Sequence, residues 1–252
     1  MNNIQQEIKQ FYDNQAEKFS GTRNKTWPEF FYIKEQVEKI IQKKWKIKIL
    51  ELGCGDGRAY RYLIDIFWKD LIDYTGVDLS TWLIKIAKEK SPETNFINQD
   101  MLSFLEEQDQ QSFDFVLAVA SFQHIPTRWE RLLILKNIYR VLEYDGICQM
   151  FNWSFSNWFF KKYWKQIFKS FLIWILSLWT KAINDIYIPW KDKEKVYYRY
   201  YHIFFLYELK NLFKEAWFVV KERVYITRTW IKSISWENSR NSMIIWKKDI
   251  LK

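Results

Sequence analysis

Ile49-Leu50-Glu51-Leu52-Gly53-Cys54-Gly55-Asp56-Gly57-Arg58 is an apolar run that ends in three glycines, each separated by one residue. Glycine lets a backbone turn sharply and come close to a ligand, and a helix starting just beyond would offer free N–H groups. The spacing is not G-x-G-x-x-G, the pattern that makes room for a dinucleotide pyrophosphate. Twenty residues on, Gly76-Val77-Asp78-Leu79-Ser80 closes a second apolar run on an acid. A carboxylate there can accept paired hydrogen bonds from the two hydroxyls of a ribose. A fourth run, Phe113 to Ala118, leads into Ser121-Phe122-Gln123-His124-Ile125. His124 is one of only two histidines, and at such a loop it suits a base or hydrogen-bond donor as well as a structural contact.

These residues need a frame that brings strand ends together. Residues 2–19 read as a polar helix, Gly21–Pro28 as a loop and 29–43 as a second helix. Strands are expected at Lys48–Leu52, Tyr74–Val77, Asn95–Asn98, Phe113–Ala118 and Gly146–Phe151. Helices are expected after Gly57 and over Leu83–Lys90 and Arg128–Leu142. That alternation predicts an α/β, Rossmann-like, mostly parallel sheet with helices on both faces. Helix Leu206–Ala216 and strands Phe218–Val224 and Ser242–Trp246 would bring it to seven strands. Between lies an aromatic, lysine-studded stretch, 152–195, with no strand pattern. We read it as a helical insertion after the fifth strand, capping the carboxyl edge where open α/β sheets bind ligands. The chain thus reads as one domain: an N-terminal helical substrate or cap segment (1–45), a cofactor-binding core (46–151), the insertion (152–195) and the last part of the sheet (196–252).

Bulk composition narrows the class. A hydrophobic content of 48% excludes wholesale disorder, and 39 Lys and Arg against 30 Asp and Glu give +9, a sign that favours phosphate-rich partners such as RNA or an anionic membrane face. Two cysteines, Cys54 and Cys148, are too few and too far apart for a disulfide framework or zinc site, so no metal is expected. The polar start lacks a signal-peptide core, and the most apolar stretch, Phe168–Trp179, is shorter than a membrane span and carries Lys169. A cytoplasmic location without integral membrane association is the expectation.

Glycine is scarce: there are 6, where a typical 7% share would give about 18, and 15 tryptophans stand beside them. Trp217 occupies the slot between a helix and the next strand that favours a left-handed residue. Trp45, Trp82, Trp236 and Trp246 look similarly placed. Either they are genuine aromatic residues, or the native host reads UGA as glycine and these positions are glycine there.

Glu51-Leu52-Gly53-Cys54-Gly55-Asp56-Gly57, followed in order by Asp78 and by Asn98-Gln99-Asp100-Met101, resembles the motifs of class I S-adenosylmethionine (SAM)-dependent methyltransferases. The resemblance implies SAM as cofactor, with Glu51, Gly53, Gly55 and Gly57 facing its methionine part. It puts Asp78 and Leu79 at the ribose, Asp100 at the adenine amino group, Met101 on the ring and Ala118 in the strand that borders the donor. Phe11-Tyr12-Asp13, Thr22-Arg23, Trp27-Pro28, Tyr187-Ile188-Pro189-Trp190, Tyr198-Arg199-Tyr200-Tyr201-His202, Glu208-Leu209 and Ser239-Arg240-Asn241 further resemble the tRNA wobble-uridine methyltransferases that esterify 5-carboxymethyluridine. That likeness spans most of the chain except 152–185. It implies tRNA as a partner and Arg23, His124, Arg199 and His202 as catalytic residues. Tyr12, Trp27, Tyr200, Tyr201 and Arg240 would then contact substrate. Members from eukaryotes work with a small zinc-containing activator protein, which makes such a protein a candidate partner here. One departure is Glu143-Tyr144-Asp145-Gly146, where the family carries a proline- and glycine-rich turn.

The chemistry agrees with these residue types. A carboxylate is ionised at neutral pH, so methylating it needs orientation and exclusion of water rather than a strong base. Arginine offers a planar fork matched to a carboxylate, and tyrosine rings can stack on a flipped-out base. Three rival functions use the same residues: a methyltransferase for a small phenol, quinone or lipid precursor, a non-catalytic RNA-binding protein of the same fold, and a peripheral membrane protein anchored by Phe168–Trp179.

Overall fold

The computed structural model describes residues 2–22, 27–178, 182–227, 229, 231–237 and 239–248. Two N-terminal helices, α1 (Asn3–Gly21) and α2 (Pro28–Lys44), precede the sheet. Then β1 (Ile47–Leu52), α3 (Arg58–Ile64), β2 (Ile72–Asp78), α4 (Thr81–Lys90), β3 (Asn95–Asn98), α5 (Met101–Glu107), β4 (Phe113–Val119), α6 (Arg128–Val141) and β5 (Leu142–Trp153) alternate. The remainder is α7 (Asn157–Leu176), β6 (Asp185–Asp192), β7 (Lys195–His202), α8 (Leu206–Glu215), β8 (Val219–Thr227), β9 (Lys232–Ser233) and β10 (Ser239–Lys247).

Eight strands form the main sheet in the order β3-β2-β1-β4-β5-β10-β8-β9. The first five are parallel, and β10, β8 and the two-residue β9 add antiparallel pairs. The expected seven strands are present, with β9 as one more. Central strands are buried on both faces, and their alternate residues feed two cores. Leu50, Val116 and Ala118 pack with α5, α6 and α8 residues such as Leu105, Leu135 and Phe213. Ile49, Phe115 and Leu117 pack on the other face with Val37 of α2, Leu63 of α3 and Ala87 of α4. Chain order reverses at β1, between β2 and β4, which opens a crevice at their carboxyl ends.

The insertion needs correction. Only its first half is helical: α7 is followed by an antiparallel hairpin, β6–β7, whose register runs from Asp185↔His202 to Asp192↔Lys195. The strand signal was there, in apolar Ile186 and Ile188 and the β-branched and aromatic run Val196–Tyr201, but a tyrosine- and tryptophan-rich background hid it. A two-residue turn, with Lys193 at φ 51, joins the strands. A small core of Phe155, Phe159, Tyr163, Ile186, Ile188 and Tyr201 holds α7 to the hairpin. Among the described residues no helix is long and apolar enough to cross a membrane.

The five singled-out tryptophans fall into different surroundings. Trp45 (φ 64) and Trp217 (φ 67) adopt left-handed backbone at helix ends. Trp82, in the first turn of α4, and Trp236 are exposed. Trp246 is fully buried, stacked on Phe213 with ring centroids 4.6 Å apart.

Candidate active site

The crevice at the switch point is a cleft that opens to solvent, with about 1270 Å³ of unfilled space counting its open mouth. Its floor is the turn after β1. Gly53 sits at φ +80, and a Cβ built there would lie 2.2 Å from Ser121 Cβ, so only glycine fits between β1 and the loop leaving β4. The Ser121 hydroxyl ties the two together by donating to the Leu52 carbonyl at 2.5 Å. The backbone N–H of Gly53 and that of Cys54 both donate to the Val77 carbonyl, at 2.7 and 3.0 Å, which draws the end of β2 alongside.

Asp78 ends β2 inside the cleft. One carboxylate oxygen accepts from the Gly55 N–H at 2.8 Å and the other from the Ser80 N–H at 2.9 Å. Burial pushes its pKa up to about 6 against the pull of those hydrogen bonds. Glu51, also buried, accepts from the Tyr74 hydroxyl, and burial pushes it to about 8. Two poorly solvated acids with spare lone pairs at a ligand-sized cleft form an acceptor set for hydroxyl or ammonium groups. Asp100 lines the same wall as the N-cap of α5. It accepts from the N–H groups of Leu102 and Ser103, both at 3.1 Å, and Met101 lies beside it. Leu79 also lines the cleft, while Gly57 shapes the turn just behind it at φ +76.

Ala118 does not reach the cleft. It is buried in the core beneath α6, and Ala120, at φ 54 two residues on, takes the place expected for it.

Helix α1 roofs the site, a role with little local signature in the sequence. Asp13 accepts from the Ser80 hydroxyl at 2.7 Å and the Trp82 N–H at 3.2 Å, and pairs with Lys9 at 2.6 Å. Farther along, Ser20 donates to buried Asp56 at 2.7 Å, where Lys90 also pairs at 2.7 Å. The middle and the C-terminal end of α1 are therefore tied to loops around the cleft. Trp27 lines the cleft, with the Arg58 guanidinium 4.0 Å over its ring.

The opposite wall is built by the exit of β4 and by the hairpin. His124, in a 3₁₀ turn over Phe122–His124, places Nδ1 2.8 Å from the Tyr200 carbonyl and Nε2 3.1 Å from the Tyr12 hydroxyl. A carbonyl only accepts, so Nδ1 carries the proton and Nε2 receives the tyrosine O–H. Burial lowers the His124 pKa to about 4, with the Arg199 charge acting in the same direction, so the ring is neutral at physiological pH. Tyr201 packs edge-on to it at 4.6 Å and lines the cleft.

Arg199 lies just behind that wall, only 4% exposed. Its guanidinium sits 5.0 Å from the rings of Phe11 and Trp190 and 5.2 Å from that of Tyr201, and it hydrogen-bonds Tyr12. Among the described residues no carboxylate pairs with it, and its buried Nε has no hydrogen-bond partner. An uncompensated buried cation is costly, and an anionic ligand would relieve it.

His202 and Tyr200 point the other way, into a polar cluster with Asp185 and Glu208 outside the cleft. Arg23 and the side chain of Arg240 lie outside the described residues. The set the cleft brings together is thus Glu51, Gly53, Gly55, Asp78, Leu79, Asp100, Met101, Tyr12, Trp27, His124 and Tyr201, with Arg199 against it. Asp13 and Ser121 are additions: both stand in the quoted motifs, which assign neither a role.

Comparison with known proteins agrees with this geometry. Residues 49–146 match the family model described as a methyltransferase domain. The chain is similar to the tRNA (carboxymethyluridine(34)-5-O)-methyltransferase of Schizosaccharomyces pombe, 25% identical over 244 residues, covering 88% of this chain and 93% of that one. Among solved structures it is similar to a SAM-dependent methyltransferase of Methanosarcina mazei, with TM-score 0.63 and 23% identity over 82% of this chain and 94% of that one. It also resembles a Haloferax volcanii methyltransferase solved with the Trm112 activator, with TM-score 0.63 and 14% identity over 97% and 99% of the two chains. The chain carries a methyltransferase domain. Its activity is methyl transfer.

Proposed function

We propose that the protein methylates the carboxylate of 5-carboxymethyluridine at the wobble position of tRNA. The observation that carries this reading is Arg199: a buried guanidinium with no carboxylate partner among the described residues, caged by aromatic rings beside the cleft. A neutral phenol or quinone acceptor would leave that charge uncompensated, whereas a carboxylate completes it with a bidentate pair. The S. pombe relative's named substrate carries such a group.

Bound SAM supplies an electrophilic methyl on a sulfonium. The residues to hold it are the Gly53–Gly57 turn and Glu51 at the methionine end, Asp78 and Leu79 at the ribose, and Asp100 and Met101 at the adenine. On the acceptor side Arg199 orients the carboxylate, and Tyr12, hydrogen-bonded to both Arg199 and neutral His124, sets the approach. No side chain has to remove a proton, because the acceptor oxygen is already ionised. Tyr201 and Trp27 enclose the uridine, Arg240 is assigned to substrate contact and Arg23 to the catalytic set.

The tRNA itself meets α7. Lys161, Lys165 and Lys169 are all exposed on α7, the first before and the other two after a kink at Tyr163 (φ −117, ψ 22), and the helix carries no acidic residue. Lysines so placed track a phosphate backbone. The fold shared with the H. volcanii enzyme makes a small activator protein a candidate partner. The direct test is pure protein with labelled SAM and tRNA bearing 5-carboxymethyluridine. A base-labile methyl ester on the wobble nucleoside is expected. Methylation of a small phenol or quinone, and none of the tRNA, overturns the reading.

A further inference from the structure

His202 makes two very short contacts with opposite partners. Nδ1 is 2.6 Å from Asp185 Oδ1 and Nε2 is 2.7 Å from Glu208 Oε1. Carboxylate oxygens only accept, so hydrogen bonds to both call for a proton on each ring nitrogen. The Glu208 contact is the shortest at Nε2, where the donor groups of Arg131 and Asn184 also lie at 3.0 and 3.2 Å. Hydrogen bonds and charge from His202, Arg131 and Asn184 outweigh burial and keep Glu208 below its ordinary range, in keeping with an ionised carboxylate.

Charge bookkeeping closes around this cluster. Arg131 from α6 reaches Glu208 at 3.8 Å and Asp185 at 3.9 Å, and lies 3.0 Å from His202 Nε2. Two carboxylates from β6 and α8 thus face two cations from β7 and α6. Tyr200 donates to Asp185 at 2.6 Å, and Asn184 donates to Glu208 at 3.1 Å. Removing the histidine charge would leave a buried site with an unmatched negative charge.

The cluster grips what the catalytic wall is made of. Successive residues of a strand face opposite sides, so Tyr200 and His202 enter the cluster while Tyr201 lines the cleft and Arg199 packs just behind it. Arg131 also donates to the Ile125 carbonyl at 2.9 Å and the Pro126 carbonyl at 3.0 Å, in the loop that carries His124. Strand β7 and the His124 loop are therefore held by one ionic knot.

We propose that His202 is a positioning residue: as a cation bridging Asp185 and Glu208, it fixes β7 against α6 and α8 so that Arg199 meets the acceptor carboxylate. This rests on the assignment of Arg199 to that carboxylate.

The test uses the full chain, SAM and tRNA carrying 5-carboxymethyluridine. His202→Gln should lower methyl transfer tenfold or more and leave the calorimetric SAM affinity within twofold. In a cycle with Arg199→Ala, the double variant should be no slower than Arg199→Ala alone within threefold, because the histidine acts through the arginine. Multiplying losses, or full activity of His202→Gln beside an impaired Arg199→Ala, overturns this inference alone. An Arg199→Ala variant as active as wild type removes the carboxylate assignment and this inference with it. Should His202→Gln not fold, Glu208→Gln takes its place in the cycle with the same expectations. A long-range ¹H–¹⁵N spectrum of histidine-labelled protein has only two rings to assign. Both nitrogens of His202 should be protonated, and a neutral ring overturns the proposal.

Discussion

The hydroxyl of Tyr12, on the roof helix, lies 3.1 Å from Nε2 of His124, on the exit of β4, and joins two elements 112 residues apart in sequence. Because the other nitrogen of the ring donates to Tyr200, this contact fixes the tautomer and turns the histidine into an acceptor for tyrosine. His124 thereby orients Tyr12 instead of drawing a proton from the acceptor. Tyr12→Phe should cost about ten- to a hundredfold in kcat, the equivalent of losing a hydrogen bond to the charged Arg199 at about 1.5–3 kcal/mol, with SAM affinity unchanged. A variant as fast as wild type in single-turnover methylation removes Tyr12 from the site.

Acid stability follows from the same ring. The His124 pKa in the fold is lowered to about 4 from an ordinary 6.5. The unfolded chain therefore binds the proton more readily, so the stability conferred by a neutral ring is present above pH 6.5 and lost as pH falls toward 4, by up to about 1.4 kcal/mol per unit. Glu51 and Asp78, with raised values, work in the opposite direction. The comparison that isolates the histidine is between wild type and His124→Asn. The gap between their melting temperatures should narrow between pH 6.5 and 4.5, and a constant gap contradicts the assignment.

At the ribose end, Asp78→Asn keeps the shape and removes the charge. The amide should weaken SAM binding by at least tenfold, since hydrogen bonds to a charged acceptor contribute about 1.5–3 kcal/mol. Wild-type affinity should fall as pH drops below about 6, where Asp78 takes up its proton, while the Asn variant shows no such loss there. Calorimetry at pH 5 and pH 7.5 reads both. Equal wild-type affinities at the two values would show that the carboxylate does not bear on the ribose.

These two acids mark what was legible beforehand. The glycine turn, Asp78 and Asp100 are local: each sits at a strand end, and a few neighbouring residues define it. The strands of the parallel half were readable for the same reason, as continuous apolar runs between turns. Asp13 was not, because its partners Ser80 and Trp82 lie 67 and 69 residues away and only the packing of α1 on α4 brings them near. His202 and Arg199 stood in one motif and were read as partners in one task. Strand alternation sends them to opposite faces, which became clear only once 195–202 was known to be a strand.

The lysines of α7 predict a salt signature. Substituting Lys161, Lys165 and Lys169 together with Ala should weaken tRNA binding and lower the slope of log affinity against log salt by up to about 3, roughly one per lost phosphate contact. Methylation of a free 5-carboxymethyluridine nucleoside should be unchanged by the same substitutions. An unaltered slope would remove α7 from the tRNA path.

Trp217 offers a separate test of the sequence itself. It follows α8 in a Schellman arrangement: its N–H donates to the Lys214 carbonyl at 3.0 Å and the Phe218 N–H to the Phe213 carbonyl at 3.1 Å. The residue between must be left-handed, at φ 67, a conformation that costs an L side chain about 1–2 kcal/mol and glycine nothing. Trp45, the C-cap of α2, also has a positive φ, 64, in a tighter turn in which the Lys46 N–H donates to the Lys44 carbonyl at 2.8 Å. Both side chains are largely exposed, so little packing is lost on removing them. Trp217→Gly and Trp45→Gly should each leave stability unchanged or raise it by up to about 1 kcal/mol, after the entropy glycine adds to the unfolded chain. Trp246→Gly should instead cost about 3–5 kcal/mol, because that ring is fully buried against Phe213. Denaturant titration of the three variants compares them directly. If the host reads UGA as glycine, the intact mass of protein purified from its own cells falls below that of the written chain by a whole number of Trp-to-Gly differences, and a mass matching all 15 tryptophans ends that explanation.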